Sequence, residues 1–160
     1  DIIATIDAAR GRADFVIVYL EGRASARATN ALLMSNLALI PIQGSALDAT
    51  EAARAFKIAR NAGTARQRPL PFAAVLTRAP ASKRLWTRDL KAVLANLEEA
   101  GIPVIDTALA ERGAFRGLFS MGGTLAEMTS ADVGSLESAR ANAASFRKDV
   151  LALLEEGVTA

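Results

Sequence analysis

The chain has 160 residues, 51% of them hydrophobic, with a net charge of +2 and an isoelectric point of about 9.4. A chain of this length buries roughly 70% of its unfolded surface, so a single domain over residues 1–160 with its own core is expected. It contains no cysteine and no histidine, which excludes disulfides, thiolate or imidazole metal sites, Ser-His-Asp hydrolysis and phosphohistidine relays within the chain.

In chain order, Ile2, Ile3, Ile6 and Ala9 fall at helical spacing, so residues 1–11 read as a helix closed by Gly11. Asp14–Gly22 then holds an apolar, β-branched run, Phe15–Leu20, of the kind that forms a strand buried on both faces. Ser25–Ser35 reads as a helix and Leu37–Ile42 as a second buried strand, with Pro41 at its end, where a ladder bond can be spared. Ser45 or Asp48 can cap a helix that Gly63 closes. Phe72–Thr77 is the third strand, Ser82–Ala100 a long helix ended by Gly101, and Pro103–Thr107 the fourth strand. A short helix near 111–119 sits among the glycines of 108–131, and 132–156 is the last helix, with Leu136, Ala139, Ala143, Phe146, Val150 and Leu154 as its stripe. The order αβαβαβαβα predicts an α/β fold: a mostly parallel sheet with helices on both faces and right-handed crossovers.

No apolar run approaches the ~20 residues that span a bilayer, and no signal-peptide pattern is present. The reading is therefore a cytoplasmic protein that makes no membrane contact. Because the chain opens on Asp1 with a helix under way, it reads as a protein seen without its N-terminal part. Lysine occurs only at Lys57, Lys83, Lys91 and Lys148, and arginine supplies the rest of the positive charge, as in a GC-rich genome. Arg84, Arg88 and Lys91 fall at i, i+4, i+7 of the expected Ser82–Ala100 helix, the stripe that phosphate binding wants. A solvated helix face is the competing reading. Arg54, Lys57 and Arg60 form a second stripe, and Arg112, Arg116, Arg147 and Lys148 a third. Thr77 and Arg78 end a strand at its C-terminal edge, where open α/β sheets bind ligands. A hydroxyl there can hydrogen-bond an adenine edge, and a guanidinium can stack on the base.

Taken together and in order, four segments resemble the ParA/MinD family of deviant-Walker P-loop ATPases, closest to its plasmid-partition and T-DNA-transfer branch. They are Asp14–Gly22; Asn30–Leu47, similar to the family's A-x-x-x-S-D-x-x-L-I-P-x-Q-x-S run; Phe72–Arg78; and Gly101–Leu125, similar to E-R-x-A-F-x-x-x-F-x-x-G-x-T-L. The resemblance covers nearly the whole chain but only the C-terminal two thirds of a family member. It implies a three-layer P-loop NTPase-like fold lacking the N-terminal phosphate-loop unit. G-x-x-x-x-G-K-[ST] appears nowhere in the chain. By the same resemblance Gly22 would meet the γ-phosphate, Thr77 and Arg78 the adenine, and Arg84, Arg88 and Lys91 nonspecific DNA. Tyr19 stands where the family's second motif carries an aspartate that helps to hold magnesium, and a phenol cannot supply that charge. Glu21 shares Tyr19's face in an extended strand.

The resemblance implies part of a partition ATPase acting in plasmid or DNA segregation or transfer, with ATP and Mg²⁺ as the parent family's cofactors. Partners would be DNA, a partition or relaxosome protein, and a second copy in a homodimer. Neither a catalytic residue nor a metal ligand is assigned within the chain, and none of these cofactors is expected to bind the chain alone. The alternative is a nucleotide-free, degenerate interaction module with no catalytic activity. A flavodoxin-like binding domain is disfavoured, because no phosphate-cradling glycine loop follows a strand. The family's phosphate-loop strand would lie between 15–20 and 37–42, so a missing or exchanged segment is expected there rather than direct pairing.

Overall fold

The helices begin where their capping residues stand. The computed structural model describes residues 1–21 and 25–159. α1 (Ile2–Arg10) is capped by the Asp1 carboxylate, which accepts from Ile3 N at 3.1 Å. α2 (Ala26–Met34) starts at Ser25, whose hydroxyl accepts from Ala28 N at 3.1 Å. The carbonyls at its end, Met34 and Ser35, accept from the guanidinium groups of Arg10 and Arg66, which oppose the negative end of the helix. Burial, and then the nearby Arg68 charge, push the Arg66 pKa down from its ordinary value. α3 (Ala46–Ala65) opens with a reciprocal capping box: Asp48 N donates to Ser45 Oγ at 3.1 Å and Ser45 N donates to Asp48 Oδ2 at 3.3 Å.

Three strands, β1 (Ala38–Ile42), β2 (Phe72–Ala79) and β3 (Leu109–Ala110), form a parallel sheet in the order β1-β2-β3. β2 is central and apolar on both faces. On one face, Ala74, Leu76 and Ala79 meet Ala52 and Phe56 of α3 and Leu90, Val93 and Leu97 of α4 (Arg88–Glu99). On the other, Ala73 and Val75 meet Ile105 and the Phe146, Val150 and Leu153 side of α6 (Leu136–Thr159). The Leu76 side chain is fully buried, worth about 2 kcal/mol in apolar area alone. A smaller cluster of Ala114, Met128, Leu136 and Ala139 joins α5 (Gly113–Met121) and the 122–135 segment to α6. The α/β class and the helices on both faces are as the sequence predicts. No helix among the described residues is long and apolar enough to cross a membrane.

Several elements differ from expectation. Phe15–Leu20 is not a buried strand: it has no ladder partner among the described residues. Val16, Val18 and Leu20 are half-buried, while Phe15 is 66% exposed and Ile17 and Tyr19 are each 94% exposed. The run has the side chains of a strand, but a strand exists only through its neighbours' N–H and C=O groups, and here it has none. Direct pairing between 15–20 and β1 does not occur.

Pro41 lies inside β1 rather than at its end. Ala38 N donates to Pro71 O at 2.9 Å. By alternation Leu39 and Pro41 direct their backbone groups to the open edge, where a missing N–H costs no ladder bond.

α3 runs past Gly63 to Ala65. The glycine serves packing, since a Cβ there would stand 3.1 Å from Leu70 N.

The helix expected from Ser82 to Ala100 is divided. A 3-10 turn, Lys83–Leu85, is followed by extended Trp86, and α4 begins only after Thr87, whose hydroxyl accepts from Leu90 N at 3.2 Å. α4 ends as expected at Gly101, with φ +66, where Gly101 N donates to Glu98 O and Ile102 N to Leu97 O.

The fourth strand expected over Pro103–Thr107 is reduced to a bridge at Val104, with the ladder resuming at β3. From the Ala74–Val104 bridge to the Thr77–Leu109 pair β2 advances three residues and the edge segment five, so two extra residues bow out of the ladder there.

Candidate functional site

Parallel sheets bind ligands off the C-terminal ends of their strands, and the groups singled out from the sequence divide between that end and the surface. Thr77 is half-buried, and its hydroxyl donates to Ile42 O at 3.0 Å, tying the ends of β2 and β1 together. Its proton is thereby used, leaving the oxygen's lone pairs to accept. Arg78 follows at φ +52, a left-handed backbone for a residue with a Cβ, at the bulge between Thr77 and Ala79. Such a conformation costs about 1–3 kcal/mol and clusters at functional sites. The Arg78 side chain is exposed beside the strand end.

Tyr19 projects into solvent from the unpaired segment, and Gly22 lies outside the described residues. The magnesium implied by the resemblance finds no carboxylate at position 19. Position 19 offers an exposed phenol, and the described residues hold no cluster of three acidic side chains that could ligate a metal.

The division of the expected long helix separates the basic stripe. Arg84 belongs to the 3-10 turn, so only Arg88 and Lys91 share a helix, at i, i+3. All three are exposed, and none makes an ion pair among the described residues. The other stripes are partly neutralised: Arg54 pairs with Glu51 at 2.5 Å and Arg116 with Glu111 at 2.9 Å.

The structure also makes a site that the sequence does not indicate. A cavity of about 420 Å³ opens past the end of β2, between the 80–86 loop, the start of α5 and the near end of α6. Lys83, Trp86 and Arg112 line it together with Ser138, Asn142 and Ser145, which fall at i, i+4, i+7 of α6. Lys83 Nζ sits 5.4 Å from the Trp86 ring centroid, and Trp86 Nε1 donates to Pro80 O at 3.3 Å. Asn142 Nδ2 donates to Ala108 O and Ala110 N donates to Asn142 Oδ1, both at 2.9 Å. Thr77 and Arg78 are not among its lining residues. Lys83 and Arg112 are too far apart in sequence for spacing to have associated them.

No family model matches the chain. Over 143 residues it is 34% identical to Protein ParA of Rhizobium radiobacter, a match that takes in 89% of this chain and 63% of that protein. The chain thus spans a little under two thirds of the length of the curated relative it matches, and the similarity supports a ParA-like family.

Proposed function

We propose that the chain is the base-reading and DNA-facing part of a ParA-like partition ATPase that acts in DNA segregation or transfer as a nucleotide-dependent dimer. The observation that carries this reading is the unfinished β1 side. Among the described residues an open strand edge lies there, and the apolar segment 15–20 stands earlier in the chain without a ladder. A phosphate-loop strand supplied from outside the described residues would pair there. It would bring phosphate contacts that this chain does not encode, and no hydrolytic step is assigned to the chain's own residues. At the strand end, Thr77 accepts from the exocyclic amine of a base, its own proton being held by Ile42 O, and the Arg78 guanidinium covers the ring. Arg84, Arg88 and Lys91 contact DNA phosphates without reading sequence.

Calorimetry tests the division of labour. The chain alone gives no heat with ATP and Mg²⁺, and saturable binding tighter than ~100 μM, about 5.5 kcal/mol, would overturn it. Replacing Arg84, Arg88 and Lys91 with alanine weakens duplex binding for all sequences alike and flattens the salt slope by roughly two to three units. An unchanged slope leaves the three as solvated side chains.

One observation favours the second reading, a nucleotide-free interaction module. Tyr19 replaces an acid with an exposed aromatic surface that suits a protein partner. ATP binding that stays absent after the phosphate-loop segment is supplied selects that reading.

A further inference from the structure

We propose that the cavity beside α6 is a binding site for a small oxyanion, a phosphate or carboxylate group carried by a compact ligand. Charge is the first argument. Lys83 and Arg112 both line the cavity, and no acidic side chain does. The nearest acid in sequence, Glu111, is engaged by Arg116. The second argument is a guanidinium without protein partners. Arg112 Nε is buried and has no hydrogen-bond partner, although a buried N–H of a charged group is costly to leave unpaired. The third argument comes from the helix start. Arg112 is the N-cap residue of α5, and its side chain makes no capping bond. A guanidinium at the positive end of a helix is an unfavourable choice, since acceptors and anions belong there. An oxyanion in the cavity would accept from the terminal N–H groups of Arg112, which make no hydrogen bond among the described residues, neutralise two cations and oppose the positive end of α5. The Ser138 and Ser145 hydroxyls of α6 make no hydrogen bond among the described residues and supply neutral donors to the cavity.

A compact ligand is favoured over a duplex because the site is concave and bounded by three elements, whereas a phosphate backbone is tracked by exposed cations such as Arg88. The site is separate from the Thr77 and Arg78 strand end and does not depend on the ParA-like reading.

Trp86 is the chain's one tryptophan and lines the cavity, so its fluorescence reports on this site alone. The full chain is titrated with inorganic phosphate and separately with citrate, with chloride holding the ionic strength constant. We expect a saturable change with at least one of them, weakened about tenfold or more in Arg112→Gln and in Lys83→Gln. Arg60→Gln, which removes an exposed cation of α3 outside the cavity, leaves it unchanged. Circular dichroism checks the fold of each variant, and Lys83→Gln carries the test if Arg112→Gln does not fold. A linear response with no saturation, or equal affinity in the folded variants, overturns the proposal. So does displacement of the anion by a short DNA duplex, which would make these cations a nucleic-acid contact. Absence of ATP binding leaves the proposal standing, whereas loss of the phosphate response removes it and leaves the ParA-like reading untouched.

Discussion

On the β3 side of the sheet, α6 reaches the strand with its polar side chains: Asn142 bonds both Ala108 O and Ala110 N, and the Asp149 carboxylate accepts from Thr107 N at 3.0 Å. On the β1 side, Leu39 and Pro41 direct their backbone groups outward to no strand among the described residues. The same contrast holds across the sheet faces. β2 is covered on both faces, whereas β1 is covered by α3 on the face of Ala38 and Ile42 and is partly or wholly exposed at Leu39 and Pro41. A sheet edge can therefore be closed without another strand, by an amide and a carboxylate held in register on a helix. Where no such groups exist, the edge stays available for pairing.

The largest expected effect lies on the closed side. Asn142→Leu leaves the Ala108 carbonyl and the Ala110 N–H without partners, and should cost about 2–4 kcal/mol in urea unfolding. Leu39→Thr, on the open side, should stay within about 0.5 kcal/mol. Equal costs at the two positions would erase the distinction. The next effect is on association. Phe15, Ile17 and Tyr19 form an exposed apolar row beside unpaired backbone, so the chain should self-associate with rising concentration. In sedimentation velocity, Ile17→Lys combined with Leu39→Lys should weaken that association by roughly tenfold, about 1.4 kcal/mol. A charge placed at exposed Arg147 of α6, as Arg147→Glu, should not. The reverse pattern would move the sticky surface to the closed side.

The smallest effect concerns pH, again on the closed side. The Asp132 carboxylate accepts from Thr129 N at 2.7 Å and from the Thr129 hydroxyl at 2.8 Å, and these bonds lower its pKa below the ordinary 3.8. A lowered folded-state pKa means the stabilisation is complete above the ordinary value and is lost as the pH falls through the folded one. Asp132→Asn should therefore narrow the stability difference between pH 6 and pH 2 slightly. A wider difference in the variant would contradict the hydrogen-bonded turn.

Much of the molecule follows from the sequence because its determinants are local. Ser25, Ser45 and Asp48 start helices through their own hydrogen bonds, Gly101 stops one through a positive φ, and the continuous apolar run of Phe72–Thr77 marks a strand covered on both sides. The alternation of such elements is enough for the α/β class. Three features were not legible in the hydrophobic spacing, and two of them depended on tertiary structure. Phe15–Leu20 has a strand's side chains, yet pairing is a property of two segments, and it has no ladder partner among the described residues. The helix expected through Trp86 breaks because Ser82 and Thr87 each offer a cap, and the Trp86 indole is bonded to Pro80 O; helical spacing alone does not weigh these against one another. Lys83 and Arg112 meet at one cavity because β2, β3 and α6 converge there. Local chemistry determined where elements begin, end and bury a face, while the open edge and the cationic cavity depended on which elements came to lie side by side.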